Sequence, residues 1–193
     1  MAGGNETASG KPCVFFDRDG IANIAPGAGY VEKANGFWVR HAFVEAVEVV
    51  KQKGWAAAIV SNQRGVAKGL TPREELEKMH AALQARLGKE GISLDAIAWC
   101  GAADGADPRR KPNPGMILEL AAEHGWDVGR SWMVGDRERD VETGRNAGVA
   151  KTVRVDDDGL GHNPDRGKPS QADFVLPRLA DLPTLLASAL PPA

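Results

Sequence analysis

Short apolar runs rich in β-forming residues alternate along the chain with amphipathic stretches of about ten to sixteen residues, the pattern of βαβ units and a parallel sheet. The runs predict six strands: Cys13 to Phe16, Trp55 to Val60, Leu94 to Trp99, Ser131 to Val134, Thr152 to Val155 and Phe174 to Leu176. Between them, apolar residues at spacings of three and four predict helices. The firmest starts at Thr71-Pro72-Arg73-Glu74, where Thr71 can cap, Pro72 suits the first turn and Glu74 can close a capping box. Its apolar stripe is Leu76, Met79, Leu83 and Leu87, with Gly88 as the stop. Others span Ala42 to Lys53 before Gly54, Pro114 to His124 between an Asn113 cap and Gly125, and Glu138 to Asn146. The fold class is therefore α/β, a Rossmann-like doubly wound parallel sheet in three α/β/α layers.

No repeat, low-complexity tract or long linker divides the chain, so residues 12–190 are expected to form one domain behind a flexible leader, residues 1–11. Two long connections stand out. Ile21 to Arg40 could carry a hairpin or flap over a site, and Asp156 to Gln171, with three successive aspartates, reads as a solvated surface loop rather than a calcium site.

Composition narrows the function classes. At 193 residues, 42% hydrophobic and 26% charged, the chain is an ordinary globular protein. It can bury a core without disulfides, so Cys13 and Cys100 are expected as reduced thiols in the cytoplasm. A net charge of −2 gives no pull toward nucleic acid or an anionic membrane, and no apolar run approaches the roughly 18 residues of a membrane span. His41, His80, His124 and His162 are scattered and expected in surface or packing roles, as are the five tryptophans in packing.

Ligands of an open α/β sheet bind beyond the carboxyl ends of its strands. The residues there are Asp17, Arg18, Asp19 and Gly20, then Ser61 to Gly65, Arg110 and Lys111, and Gly135 and Asp136. Two carboxylates two residues apart let one attack while the other moves a proton, the roles of Asp17 and Asp19. Attack on phosphorus forms an aspartyl-phosphate, and the accumulated negative charge demands a hard cation such as Mg²⁺ with fixed positive groups. Asp136 and Lys111 can supply them, and Ser61 and Asn62 can hydrogen-bond the equatorial oxygens.

These four segments in order, Asp17-Arg18-Asp19-Gly20, Ser61-Asn62-Gln63-Arg64-Gly65-Val66, Arg110-Lys111-Pro112 and Gly135-Asp136, resemble the motifs of haloacid-dehalogenase superfamily phosphatases over about residues 13–185. Arg110 to Met116 is similar to the branch without a separate cap domain, and Gly29-Tyr30-Val31 to the substrate loop of its heptose-bisphosphate members. The resemblance implies a phosphomonoesterase acting on a small phosphorylated sugar, a heptose bisphosphate first, with histidinol phosphate or another small ester as the alternative. It implies Asp17 as nucleophile, Asp19 as acid and then base, and Ser61 and Lys111 as holders of the phosphoryl group. Mg²⁺ would sit on the Asp17 and Asp136 side chains and the Asp19 carbonyl. Arg110 would meet a remote phosphate, Arg137 would carry the positive charge of the lysine common after the metal-binding aspartate, and Asn23, Tyr30, Asn62, Gln63 and Arg64 would line the substrate rim. Asp140 could tune the metal site or serve its helix start.

Three departures matter. Ile21 replaces a threonine, Arg137 a lysine, and the cysteine–histidine set of a zinc loop is reduced to Cys100, so no structural zinc is expected. The loop Gly101 to Pro108 is instead acidic and reshapes a pocket wall. A phosphoacceptor switch is disfavoured because Asp19 would promote hydrolysis of the phosphate it must keep. A silent phosphate-binding module is disfavoured because no catalytic carboxylate is missing. The working unit is expected to be a monomer without nucleic-acid or membrane partners.

Overall fold

A computed structural model describes residues 10–24, 29–157 and 163–193. Asp158 and His162, and most of the expected leader, lie outside the described residues. Six strands, β1 (Cys13–Phe16), β2 (Ala56–Asn62), β3 (Ala96–Cys100), β4 (Trp132–Gly135), β5 (Lys151–Val155) and β6 (Phe174–Leu176), form one sheet in the order β3-β2-β1-β4-β5-β6. Every pairing is parallel. Lys11 already pairs, as an isolated bridge, with Trp126.

Strand alternation sends β1 into two cores. Val14 and Phe16 join Ala57 and Ile59 beneath α1 (His41–Gln52), α3 (Arg73–Gly88) and α6 (Leu182–Ala189), while Cys13 and Phe15 join Ala56, Ala58 and Val60 beneath α4 (Gly115–His124). α5 (Glu138–Ala147) lies against β4 and β5. These are the three layers expected from the pattern. A short α2 (Arg64–Ala67) follows β2.

Two expected caps are replaced. α3 begins after Pro72 without a side-chain cap and runs through Gly88, because Thr71 Oγ1 donates to the Val31 carbonyl (3.3 Å) instead. α4 likewise lacks an Asn113 cap; Asn113 Nδ2 donates to the carbonyls of Gly105 (2.9 Å) and Asp107 (2.7 Å), pinning the loop after β3. Gly125 does end α4, in the left-handed conformation at φ 68°.

The strand order reverses between β1 and β4, and a crevice at their carboxyl ends is where such sheets take ligands. The connection from Ile21 to Arg40 returns to this edge. Asn23 bridges both Asp19 and Val39, and Arg40 Nη1 donates to the Gly20 carbonyl at 2.6 Å. Ile21 is fully buried in the core under α1.

Candidate active site

β1 delivers Asp17 to the crevice, where its amide donates to the Val134 carbonyl at 2.8 Å. The chain then turns tightly, with Ala22 and Asn23 amides both donating to the Arg18 carbonyl. Gly20 sits at φ 93°, and a Cβ there would lie 2.4 Å from Asp136 Oδ2. Only glycine permits both the turn and the approach of the Asp136 carboxylate. Gly135 is equally constrained, since a Cβ would lie 2.3 Å from Asp140 Cβ.

Lys111 is the electrostatic centre. Its Nζ lies 2.6 Å from Asp17 Oδ1 and 2.6 Å from Asp140 Oδ1, with Lys111 and Asp140 side chains fully buried. Burial alone would lower the ammonium, but Asp140 and Asp17 outweigh it and hold it above its ordinary value. Asn62 fixes the lysine's backbone from both sides: Oδ1 accepts from the Lys111 amide and Nδ2 donates to its carbonyl, each at 3.0 Å.

Asp17, Asp136 and Asp140 bring one carboxylate oxygen each within 4.8 Å of one another. Burial pushes Asp17 up to about 6 against the pull of Lys111, with Asp140 and Asp19 adding to the rise. Burial, Asp17 and Asp140 raise Asp136 well above the carboxylate range. The three carboxylates outnumber the Lys111 ammonium and the largely buried Arg139 guanidinium, whose charge acts on all three, so their full ionisation leaves negative charge that a cation offsets. Asp136 is 7% exposed, and its carboxylate has no hydrogen bond or ion pair with a described residue. The donor set is all oxygen, which suits a hard cation. The residues present therefore fit the ion, with Asp17 and Asp136 as ligands because both Asp140 oxygens are engaged, Oδ1 by Lys111 at 2.6 Å and Oδ2 by the Arg137 amide at 3.1 Å, whereas Lys111 takes only Oδ1 of Asp17.

Asp19 is differently placed. Arg18, 1% exposed, grips it through Nη2 at 2.8 and 3.0 Å, while Asn23 Nδ2 and Gln63 Nε2 each donate at 3.0 Å. Burial would raise this carboxyl, but the Arg18 guanidinium and the hydrogen bonds from Asn23 and Gln63 prevail and hold it below the usual range. Gln63 Nε2 also donates to Ser61 Oγ at 2.6 Å. Asn23, fully buried, and Gln63, 5% exposed, thus sit beneath the expected rim and orient Asp19 and Ser61.

The rest of the expected rim is spread more widely. Tyr30 lines a cavity of about 540 Å³ with Ile24, Val31, Lys33 and Trp38, beside rather than over the carboxylates. Arg64 is exposed on α2. Arg110 Nη1 donates to the Ala102 carbonyl at 2.6 Å, bracing the loop after β3. Arg137 Nε meets Asp165 Oδ2 at 2.8 Å. Sequence reasoning assigned no role to Arg18, Asn163, Asp165 or Arg139. Arg18 had a legible signal, a cation between two carboxylates at the end of an apolar strand. The others had none.

A family model for HAD-hydrolase-like proteins matches residues 108–182. A D-glycero-β-D-manno-heptose-1,7-bisphosphate 7-phosphatase from Pasteurella multocida is 32% identical over 189 residues, covering 91% of this chain and 97% of that protein. The chain belongs to the haloacid-dehalogenase-like hydrolases. The Escherichia coli K12 protein of the same description is 30% identical over 200 residues, covering 96% of this chain and 99% of its own. Among solved structures, the D,D-heptose 1,7-bisphosphate phosphatase from B. bronchiseptica, complexed with magnesium and phosphate, superposes with a TM-score of 0.79 at 26% identity, covering 91% of this chain and 97% of that one. This hydrolase is thus a phosphoric monoester hydrolase with the α/β fold of its relatives, and no helix among the described residues is long and apolar enough to cross a membrane.

Proposed function

We propose that the chain is a Mg²⁺-dependent phosphatase removing the 7-phosphate of D-glycero-D-manno-heptose 1,7-bisphosphate through an aspartyl-phosphate on Asp17. The observation that carries this reading is the charge-deficient cluster of Asp17, Asp136, Asp140 and Lys111, set at the strand-order reversal of a chain whose relatives bear that description.

Asp17 and Asp136 would hold Mg²⁺, with the Asp19 carbonyl beside them. When bound, the ion neutralises charge on the transferring phosphoryl group and favours the ionised form of Asp17. Lys111 holds Asp17 in place by its 2.6 Å contact and offers further donors to the phosphoryl oxygens. An Asp17 oxygen attacks phosphorus as the ester P–O bond breaks, and the leaving sugar oxygen takes a proton from Asp19. Arg18 holds Asp19 anionic at rest; a phosphate dianion arriving beside it opposes Arg18 and favours the protonated form this step needs. In the second half, Asp19 accepts a proton from the water that attacks the acyl-phosphate, which frees Asp17 and releases phosphate. Ser61 Oγ, oriented by Gln63, donates to the phosphoryl oxygens where charge spreads.

Arg110 and Arg137 are the proposed cations for substrate phosphate, and Tyr30 and Arg64 border the sugar side. The cysteines suit a cytoplasmic setting, since both are free and buried, and burial pushes the Cys13 thiol well up. The monomer is the proposed working unit.

The test is phosphate release with and without Mg²⁺ from heptose 1,7-bisphosphate and histidinol phosphate side by side, with Asp17→Asn as blank. Mg²⁺-dependent turnover of the heptose ester, absent in the variant, is expected. Turnover of histidinol phosphate alone would overturn the substrate assignment, and turnover without Mg²⁺ would overturn the mechanism.

A further inference from the structure

Residues 163–165, part of the stretch expected on sequence to be a solvated loop, lie against the turn that carries Asp136. Asn163 Nδ2 donates to the Asp136 carbonyl at 2.8 Å, and its Oδ1 accepts from the Asp165 amide at 2.9 Å. Asp165 Oδ2 then accepts from Arg137 Nε at 2.8 Å and from the Glu138 amide at 3.1 Å. On the other side of the same residue, the Arg137 amide donates to Asp140 Oδ2 at 3.1 Å. Arg137 is therefore tied at its backbone to the carboxylate that holds Lys111, and at its side chain to Asp165.

The mode of the tie matters. Asp165 accepts a hydrogen bond only from Nε, leaving Nη1 and Nη2 without a hydrogen bond to any described residue, on a side chain 28% exposed. An arginine free in solution has many rotamers to lose when it grips an anion. One tethered through Nε has lost most of them beforehand and keeps two donors in a fixed direction. The tether sits one residue from Asp136, and the Arg137 charge acts on that carboxylate.

We propose that Asp165 is a positioning residue that presents the Arg137 guanidinium to a phosphate oxygen of the bound substrate. The inference rests on the reading of Arg137 as a substrate cation. It goes beyond that reading in assigning the binding strength to a pair, one member of which lies in a loop that carries no recognisable motif. A purely structural Asp165, anchoring the loop and the first amide of α5, would act without regard to Arg137, and this separates the two roles.

The experiment is a double-mutant cycle read by calorimetric binding to the non-turning-over Asp17→Asn form with Mg²⁺ present, using heptose 1,7-bisphosphate and, separately, inorganic phosphate as probes. Asp165→Asn is expected to weaken binding about three- to tenfold, and in the active chain to raise KM by that factor with kcat within about twofold. Added to Arg137→Ala, the same substitution is expected to change binding less than about twofold, because the side chain it positions is gone. Arg137→Lys, which keeps the charge but has no Nε–H, should bind as weakly as Asp165→Asn and be insensitive to it, and it serves if Asp165→Asn does not fold. An equal loss from Asp165→Asn with and without Arg137, or no loss in either probe, overturns the proposal. Arg137→Ala binding both probes as tightly as its parent overturns it together with the reading of Arg137. Coupling seen with inorganic phosphate while the heptose ester is not hydrolysed leaves the pair standing and overturns only the substrate.

Discussion

Replacing Lys111 by methionine removes the ammonium that lies between two buried carboxylates. Its Nζ lies 2.6 Å from Asp17 and from Asp140, and the exposures of the three side chains are 0%, 5% and 0%. Breaking a buried ion pair by deleting one partner costs about 3–5 kcal/mol, because the surviving charge has no compensation. For a chain of this size each kcal/mol moves Tm by roughly 2–4 °C, so Lys111→Met is expected to lower Tm by about 10 °C at pH 8. The sign with pH follows from the carboxylates. Asp17 already titrates near 6 with the lysine present, and without it the folded-state value rises further. A carboxyl raised above its unfolded value is satisfied at low pH and loses stability as pH climbs through the folded value, so the deficit should shrink at pH 5 and grow toward pH 8. Adding Asp140→Asn removes one of the stranded charges and should recover part of the loss. Calorimetric or fluorescence melting at the two pH values, for the single and double variants, reads all three. An unchanged Tm at pH 8, or a deficit that grows on acidification, would refute the reasoning.

Other residues give separate checks. Asn62→Ala removes both hydrogen bonds that fix the Lys111 backbone and should cut kcat about ten- to a hundredfold with little change in fold, read by phosphate release and circular dichroism. Ile21→Thr places a hydroxyl in a fully buried apolar position and should cost about 1–3 kcal/mol in urea unfolding without raising activity. His80 is half-buried on α3, and burial with the nearby Arg18 charge lowers it to about 4, so the unfolded chain binds its proton first. Stability should therefore fall as pH drops from about 6.5 toward 4, by about 1–2 kcal/mol after allowance for exposure, and His80→Gln should flatten that slope.

Much of this was legible in the sequence because strand ends are where an α/β sheet concentrates chemistry. β1 and β6 match their apolar runs residue for residue, β5 differs by one residue at its start, and the other three differ by a residue or two at both ends. Asp17, Asp136 and Lys111 converge because the motifs lie at ends of paired strands, or in a loop that Asn62 locks to one. What was not legible depends on long-range hydrogen bonds. Nothing in the sequence marks Asn113 as a loop staple rather than a cap, since one side chain carries both the Oδ1 acceptor that a cap uses and the Nδ2 donor that the staple uses. Asn23 and Gln63 were expected on the rim by order along the chain, yet burial turns both toward Asp19. α6 had no strong punctuation, and its position is set by packing of Leu182 and Leu186 against the core beneath α1. Asn163 and Asp165 reach the Asp136 turn from 27 or more residues away, a distance no local pattern encodes.

The central claim is that Asp17 takes the phosphoryl group. Acid-quenching the enzyme during steady turnover of heptose 1,7-bisphosphate with Mg²⁺, followed by peptide mass spectrometry, tests it directly. The account predicts one added phosphoryl group on the peptide containing Asp17, lost on treatment with hydroxylamine and absent from Asp17→Asn. Phosphate release at the normal rate by Asp17→Asn, or a phosphorylated residue elsewhere in the chain, would contradict it.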